Sequence, residues 1–355
     1  GKIEEKMGIK ASDTRSVSFD NVKVPTEDRL GDVGQGFKIA LEVLNSGRLG
    51  LAAASTRGAQ AILEVALAYA KQREQFGRPI GSFEMIQRKF ASLAVDVYAS
   101  DAAWMVTAGM MDRGGIDFSL ETAACKVFAS ELVNRAANEA LQIAGGIGYS
   151  KEFPYEQAVR DARINLIFEG TNEIQRALIA LSGLQQPGEE LKAIGAAFRH
   201  PLDSIGAIGS FLKNRVRKQL SKPDFENVHP ALASEAAMVA ENIHDLALAV
   251  ERALFRHGKD IIERQFDQER MANAAIDIFL SSATLVRASW AIERAGSPEK
   301  AQADVDHAKL FVPAAARRAR RAVRAMDRNQ DARLKAIAEQ AMASGVLTVL
   351  VPTDG

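Results

Sequence analysis

From Gly36 to Ser344 the apolar residues of this chain recur at spacings of three and four, and almost nothing in that span alternates with a period of two. A period near 3.6 gathers apolar side chains on one helix face, so the pattern commits the chain to packed helices rather than to a sheet. The run "GFKIALEVLNSGRLGLAAASTRGAQAILEVALAYAKQREQFG" predicts one or two long helices, stopped by Gly77 and Pro79. Further helices are predicted at about 82–113, 117–144, 152–168 and 172–181, enough for an antiparallel bundle. A second set follows at about 231–257, 259–296, 299–328 and 330–344, in which Val239, Ile243, Leu246, Val250 and Leu254 form a core-facing stripe. Between the two sets, Ser182 to Glu190 ("SGLQQPGEE") reads as a linker and a domain boundary. The good β signal ahead of the C-terminus is Arg15 to Pro25, where Val17 and Phe19, then Val22 and Val24, alternate around Asp20-Asn21 as a strand or bulged hairpin.

The totals narrow the function classes. With 355 residues, 47% hydrophobic and 25% charged, the chain buries enough core for about two globular domains. Its 45 basic residues balance 45 acidic ones, so no overall field attracts nucleic acid. A single cysteine, Cys125, excludes an internal disulfide, and the five histidines lack metal-ligand spacing, so no metal site is expected. No apolar run is long enough to span a bilayer and no signal-peptide core opens the chain. The chain starts at "GKIEEKMGIKAS" without an initiator methionine, and a fragment of a longer protein is expected.

Four short stretches hold chemistry-bearing residue types. In "LIFEGTNEIQR", Gly170 can end one helix while Thr171 or Asn172 caps the next, with Asn172 and Gln175 resembling a capping box. That grammar accounts for a hinge; the alternative is that the break presents Glu169, partly desolvated by Leu166, Ile167 and Phe168, as a general base. In "ALQIAGGIGYS", the Gly145, Gly146 and Gly148 cluster follows a helix, which excludes a Rossmann fingerprint and leaves either backbone approach to a phosphate or a tight turn. In "AKQREQFGRPIG", Arg73 and Phe76 read either as a pyrophosphate fork and a stacking ring or as a solvated arginine and a core phenylalanine. In "LNSGRLG", Arg48 stands in an apolar helix and requires a partner.

Taken in this order, "GFKIALEVLNSGR", "AKQREQFGRPI", "LQIAGGIGYSKEFPYEQAVRDARI" and "IFEGTNEIQR" resemble the acyl-CoA dehydrogenase family over roughly residues 1–184. The resemblance implies a mainly α fold: the end of a middle β domain (1–33), a C-terminal four-helix domain (34–184), a linker with an amphipathic basic helix (185–230) and a helical extension (231–355), with the family's N-terminal domain and most of its β domain missing. It implies FAD as cofactor, a fatty acyl-CoA substrate and Glu169 as the base that takes the α-proton. Some relatives carry that base just before Arg48, where this chain has Gly47. Asn45, Arg48 and Gly170 align with substrate-contacting positions. Thr171, Asn172 and Glu173 align with the flavin side, and Arg73, Phe76, Gln142, Ile143, Ala144, Gly145 and Gly146 with residues that hold the far end of FAD across a dimer interface. Glu84 stands where many relatives have Gln after Phe83.

The second half resembles the extension of very-long-chain members and of a mitochondrial relative with an assembly role, implying a homodimer, electron-transfer flavoprotein as acceptor, and a mitochondrial or cytoplasmic location. A non-catalytic scaffold on the same fold and an acyl-CoA oxidase are the alternatives. Between Ala197 and Pro223, Leu202, Ile205, Leu212, Val216 and Leu220 share one helical face, flanked by Lys213, Arg215, Arg217 and Lys218. By itself this stripe fits a helix packed on its own bundle; resemblance to membrane-associated long-chain members makes it a membrane-surface helix. The basic run Ala316 to Arg328 reads as a solvated face, with phosphate or membrane contact as the alternative.

Overall fold

The computed structural model describes residues 1–347 apart from 116, 200–224 and 226. Helix α1 (Gly36–Gln72) is one unbroken rod. Its inward face is lined by Ala52, Ala59, Ala66 and Ala70, all nearly inaccessible, and small side chains let a neighbouring helix approach closely. That neighbour is α3 (Ser119–Ala144), which supplies Ala129, Ala136, Ala137 and Ala140. The two run parallel, since Gly58 faces Val133 while Ile62, Leu63 and Ala66 share a core cluster with Ala137, Ala140 and Ala144. Between them in sequence lie a two-residue hairpin, β1 (Glu74–Gln75) paired antiparallel with β2 (Arg78–Pro79), and helix α2 (Glu84–Arg113). The hairpin turns on Phe76 and Gly77, both at positive φ (55° and 77°), as a tight turn between twisted strands requires.

After α3 the chain makes the short α4 (Gly146–Tyr149) and α5 (Tyr155–Ala162), a 3₁₀ turn (Arg163–Leu166), and then α6 (Asn172–Arg199). The extension consists of α7 (Ala233–His257), α8 (Gln265–Ala295), α9 (Gln302–Asp327) and α10 (Asp331–Ser344). It is not a separate bead. One core cluster runs from Leu49 and Ala99 through Val127 and Ile179 to Leu280, Phe311 and Met326. Polar contacts stitch the same seam: the Tyr98 hydroxyl donates to Asp304 (2.8 Å), Arg287 bridges to the buried Asp101 (2.8 Å), and Arg176 donates to Asn273 (2.7 Å). Helix α8 is long and apolar enough to cross a membrane by length and composition, but more than half of its most apolar stretch is buried against these partners, as in a core helix.

Several expectations need correction. The stretch Arg15–Pro25 forms no strand; the sheet-like feature nearby is an isolated bridge between Ile3 and Arg15, and Val17, Phe19, Val22 and Val24 are all exposed. A strand needs a neighbour for its N–H and C=O groups and a cover for its apolar face, and the described residues supply neither. Helix α6 does not stop near Leu181 but continues to Arg199. Gln185, Gln186, Glu189, Glu190, Leu191 and Lys192 are good helix formers, but they do not offset the roughly 5 kcal/mol that Gly183, Pro187 and Gly188 cost a helix interior, so residue propensity does not explain the continuation. The helix expected at 152–168 breaks into α5 and the 3₁₀ turn. Of the amphipathic segment Ala197 to Pro223, all of Leu202 to Leu220 lies outside the described residues.

Candidate active site

The turn between the 3₁₀ segment and α6 is held in an uncommon shape: Glu169 has φ +58° and Gly170 φ +87°. For a non-glycine residue that conformation costs on the order of 1–3 kcal/mol and persists only where the surroundings impose it. They do so through the carbonyls. Glu169 O accepts from Arg48 Nε (3.3 Å) on α1 and from Gln175 Nε2 (3.0 Å) on α6; Gly170 O accepts from Lys126 Nζ (2.8 Å) on α3. In a trans peptide the N–H points opposite the carbonyl, so the N–H groups of Gly170 and Thr171 face the other way, where no acceptor among the described residues meets them. Thr171 caps α6, its Oγ1 accepting from Ile174 N at 3.4 Å. Asn172 is therefore not the cap. It is buried in the first turn, and the capping box expected of Asn172 and Gln175 is replaced by the Gln175 bond to Glu169 O.

The Glu169 carboxylate lies directly against α1. A Cβ added at Gly47 would meet its Oε2 at 2.9 Å, and that oxygen is buried without a hydrogen-bond partner. An unpartnered buried carboxylate oxygen is costly, and such groups mark places where another molecule completes the bonding. Arg48 is buried beside it, bonds Asn45 Oδ1 (2.9 Å) and Glu169 O, and is pushed below its ordinary pKa by burial, against the opposing pull of Glu169. Glu173 stays exposed at the start of α6, where its own backbone N–H and the Thr171 hydroxyl hold its carboxyl below the usual range. Beside Glu173 and Arg176 opens a recess of about 890 Å³, lined on the extension's side by Asp260, residues 263–269 and the start of α10.

The remaining predicted residues gather at the opposite end of the bundle. Arg73 follows the last turn of α1 and is exposed, Phe76 at the hairpin tip is 93% exposed rather than core, and its ring meets Phe83 edge-on at 6.2 Å. Gly145 ends α3 at φ +66°, with open space where Cβ atoms of residues 145 and 146 would lie. Gln142 is exposed, whereas the side chains of Ile143 and Ala144 belong to the core, which leaves only their backbone to offer a ligand. Because α1 is unbroken from Gly36 to Gln72, Arg48 and its C-cap residue Arg73 are separated by about 37 Å of helix, at 1.5 Å per residue. The predicted residues thus fall into two groups at opposite ends of α1.

Lys126, Ser130 and Glu131 surround the Glu169 turn as well, although none of them stands out in the sequence, and Gln175, read there as part of a capping box, joins them. No sequence signal marks Lys126; its setting emerges from packing, where Thr122 to Val127 are all buried and a charged side chain among them cannot be solvated.

A family model described as acyl-CoA dehydrogenase, C-terminal domain, matches residues 34–184, and one described as ACAD9/ACADV, C-terminal domain, matches residues 230–347. The chain is 40% identical over 294 residues to the very long-chain specific acyl-CoA dehydrogenase, mitochondrial, of Homo sapiens, covering 81% of this chain and 45% of the relative. It is 44% identical over 180 residues to an acyl-CoA dehydrogenase of Bacillus subtilis, covering 51% of this chain and 47% of the relative. The chain spans about half the length of the curated relatives it matches. Among solved structures, an acyl-CoA dehydrogenase from Bacillus anthracis complexed with FAD superposes with TM-score 0.76 at 26% identity, over 100% of this chain and 60% of that one. Butyryl-CoA dehydrogenase from Megasphaera elsdenii superposes with TM-score 0.51 at 42% identity, over 52% of this chain and 48% of that one.

Proposed function

The chain belongs to the acyl-CoA dehydrogenase family, and from that premise we propose that it is the base-bearing part of an FAD-dependent dehydrogenase of long- or very-long-chain fatty acyl-CoA. The observation that carries this reading is the unpartnered, buried Oε2 of Glu169 packed against Gly47. A carboxylate so placed takes the α-proton of the thioester substrate, and the C–H electron pair becomes the new α,β double bond as a hydride leaves the β-carbon. FAD, when bound, supplies the acceptor for that hydride. The N–H groups of Gly170 and Thr171, turned out from the captured carbonyls, are set to polarise the thioester carbonyl and stabilise the enolate charge that develops on it.

The residues present fit the cofactor. At the far end an exposed aromatic ring at a strained tip (Phe76), an exposed guanidinium (Arg73) and an open glycine edge (Gly145, Gly146) suit a ring system and a diphosphate. At the near end Thr171 and Glu173 would flank the flavin, with Asn172 offering only its backbone because its amide is taken up by Lys126, Ser130 and Glu131. Two half-sites about 37 Å apart on one helix exceed the reach of a single dinucleotide, which favours a homodimer in which each copy gives one end. Electron-transfer flavoprotein as acceptor, and a mitochondrial or cytoplasmic location, follow from the same reading.

Anaerobic addition of palmitoyl-CoA to the full-length, flavin-loaded enzyme is expected to bleach the flavin. The Glu169→Gln variant should keep its flavin and fail to bleach. Reduction of that variant at the wild-type rate would overturn the assignment of the base, and oxygen consumption without an added acceptor would mark an oxidase instead.

A further inference from the structure

Lys126 is fully inaccessible to solvent, and a lysine is buried so completely only when its ammonium is wholly engaged. Packing gives no reason for a charge there, since methionine or leucine would fill the same helical position without desolvation. The polar partners give one. Nζ donates to Gly170 O at 2.8 Å and to Asn172 Oδ1 at 2.7 Å, gripping the turn on both sides of Thr171. The Asn172 amide donates to Ser130 Oγ (3.0 Å) and Glu131 Oε1 (3.2 Å), and Arg176 holds Glu131 at 2.7 Å. The whole network ties α3 and α6 to the two residues whose positive φ aims the base.

We propose that Lys126 is a positioning residue for the reaction: its ammonium locks the Gly170 carbonyl inward and so fixes both the Glu169 carboxylate and the outward N–H groups. This rests on the reading of Glu169 as the base. The charged groups around Lys126 are Glu173 from α6, Glu131 from α3, Glu169 from the turn and Arg48 from α1. Burial pulls the ammonium down to about 8, against the acidic neighbours, with Arg48 adding to the fall. As pH rises through about 8 the charge is lost, the two charge-assisted bonds weaken, and the hold on the turn relaxes. Turnover therefore carries an alkaline limb set by Lys126 and not by the base.

Two measurements on the full-length flavoenzyme test this, with wild type, Lys126→Met, Lys126→Arg and Glu169→Gln side by side. Anaerobic rapid mixing with palmitoyl-CoA from about pH 6.5 to about pH 9.5 gives the reduction rate and the substrate dependence. Deuterium exchange of the peptide covering residues 166–175, compared at one pH, reports the turn without any chemistry. Lys126→Met is expected to lower the saturated rate at least about ten-fold, leave half-saturation nearly unchanged and speed exchange in 166–175. Lys126→Arg, whose charge does not titrate, should recover part of the rate and lose the fall above pH about 8. Wild-type rate and exchange in Lys126→Met, or an unchanged alkaline fall in Lys126→Arg, would overturn the proposal. If Lys126→Met does not fold, Asn172→Ala carries the test: with one acceptor gone the alkaline fall should move to lower pH, and an unmoved profile sinks the idea. Glu169→Gln separates the two readings, because its activity at the wild-type level defeats the base assignment whatever the lysine does.

Discussion

A methyl group at position 47 would land 2.9 Å from Oε2 of Glu169 and 3.2 Å from its Cδ, closer than side chains ordinarily pack. Residues 47 and 169 therefore compete for one place, and glycine on the helix is what leaves room for a carboxylate from the turn. Alanine favours a helix interior over glycine by about 1 kcal/mol, so Gly47→Ala should melt at the same temperature or higher. The displaced carboxylate should nonetheless lower the flavin reduction rate by roughly ten- to a hundred-fold, as misplacement near 1 Å does. Calorimetry and rapid mixing on one preparation check the two opposite signs together. At this scale the sequence was informative where a residue broke its local pattern. Gly170 after Glu169 and Arg48 within an apolar run both announced themselves. Lys126 did not, since a single lysine on a helix ordinarily reads as a solvated side chain, and only three-dimensional packing shows that its whole surroundings are closed.

Where α8 and α9 meet α2, Asp277 pairs with Arg318 at 2.6 Å, and Asp96 on α2 pairs with Arg135 of α3. Burial pushes Asp277 up to about 6, Arg318 opposes it, and Asp96 adds to the rise; Asp96 is itself raised by burial. A carboxyl whose folded pKa lies above its unfolded one favours the folded state when protonated. Its contribution is complete below the unfolded value and is lost as pH rises through about 6. At 1.36 kcal/mol per unit the loss is about 3 kcal/mol for Asp277. Denaturant melts between about pH 4.5 and pH 7 should show that Asp277→Asn flattens the decline seen in the wild type. Helices were legible as elements because periodicity is a local property. The length of α6 was not, since Gly183, Pro187 and Gly188 read as a stop and residue propensity does not account for the helix running through them. The alternation at Val17, Phe19, Val22 and Val24 describes half of a ladder, and a sequence cannot say whether the other half is present.

Across the whole molecule the decisive feature is the parallel pairing of α1 and α3, which sends Glu169 and its supports to one end and Arg73, Phe76 and the Gly145 turn to the other. Sequence order hid this separation, because the four motifs follow one another along the chain as though they belonged to one place. On the shared-cofactor reading, the consequence is genetic. A copy carrying Glu169→Gln and a copy carrying Arg73→Ala are each inactive alone, yet a mixed dimer contains one site with both intact ends. Random pairing of equal amounts should restore about a quarter of the wild-type sites. Co-expression of the two variants, assayed beside each one singly, reads this directly; recovery well above the sum of the singles is the expected result. Two recessive defects in this protein would then complement each other within one gene whenever they fall at opposite ends of α1, and fail to do so whenever they fall at the same end.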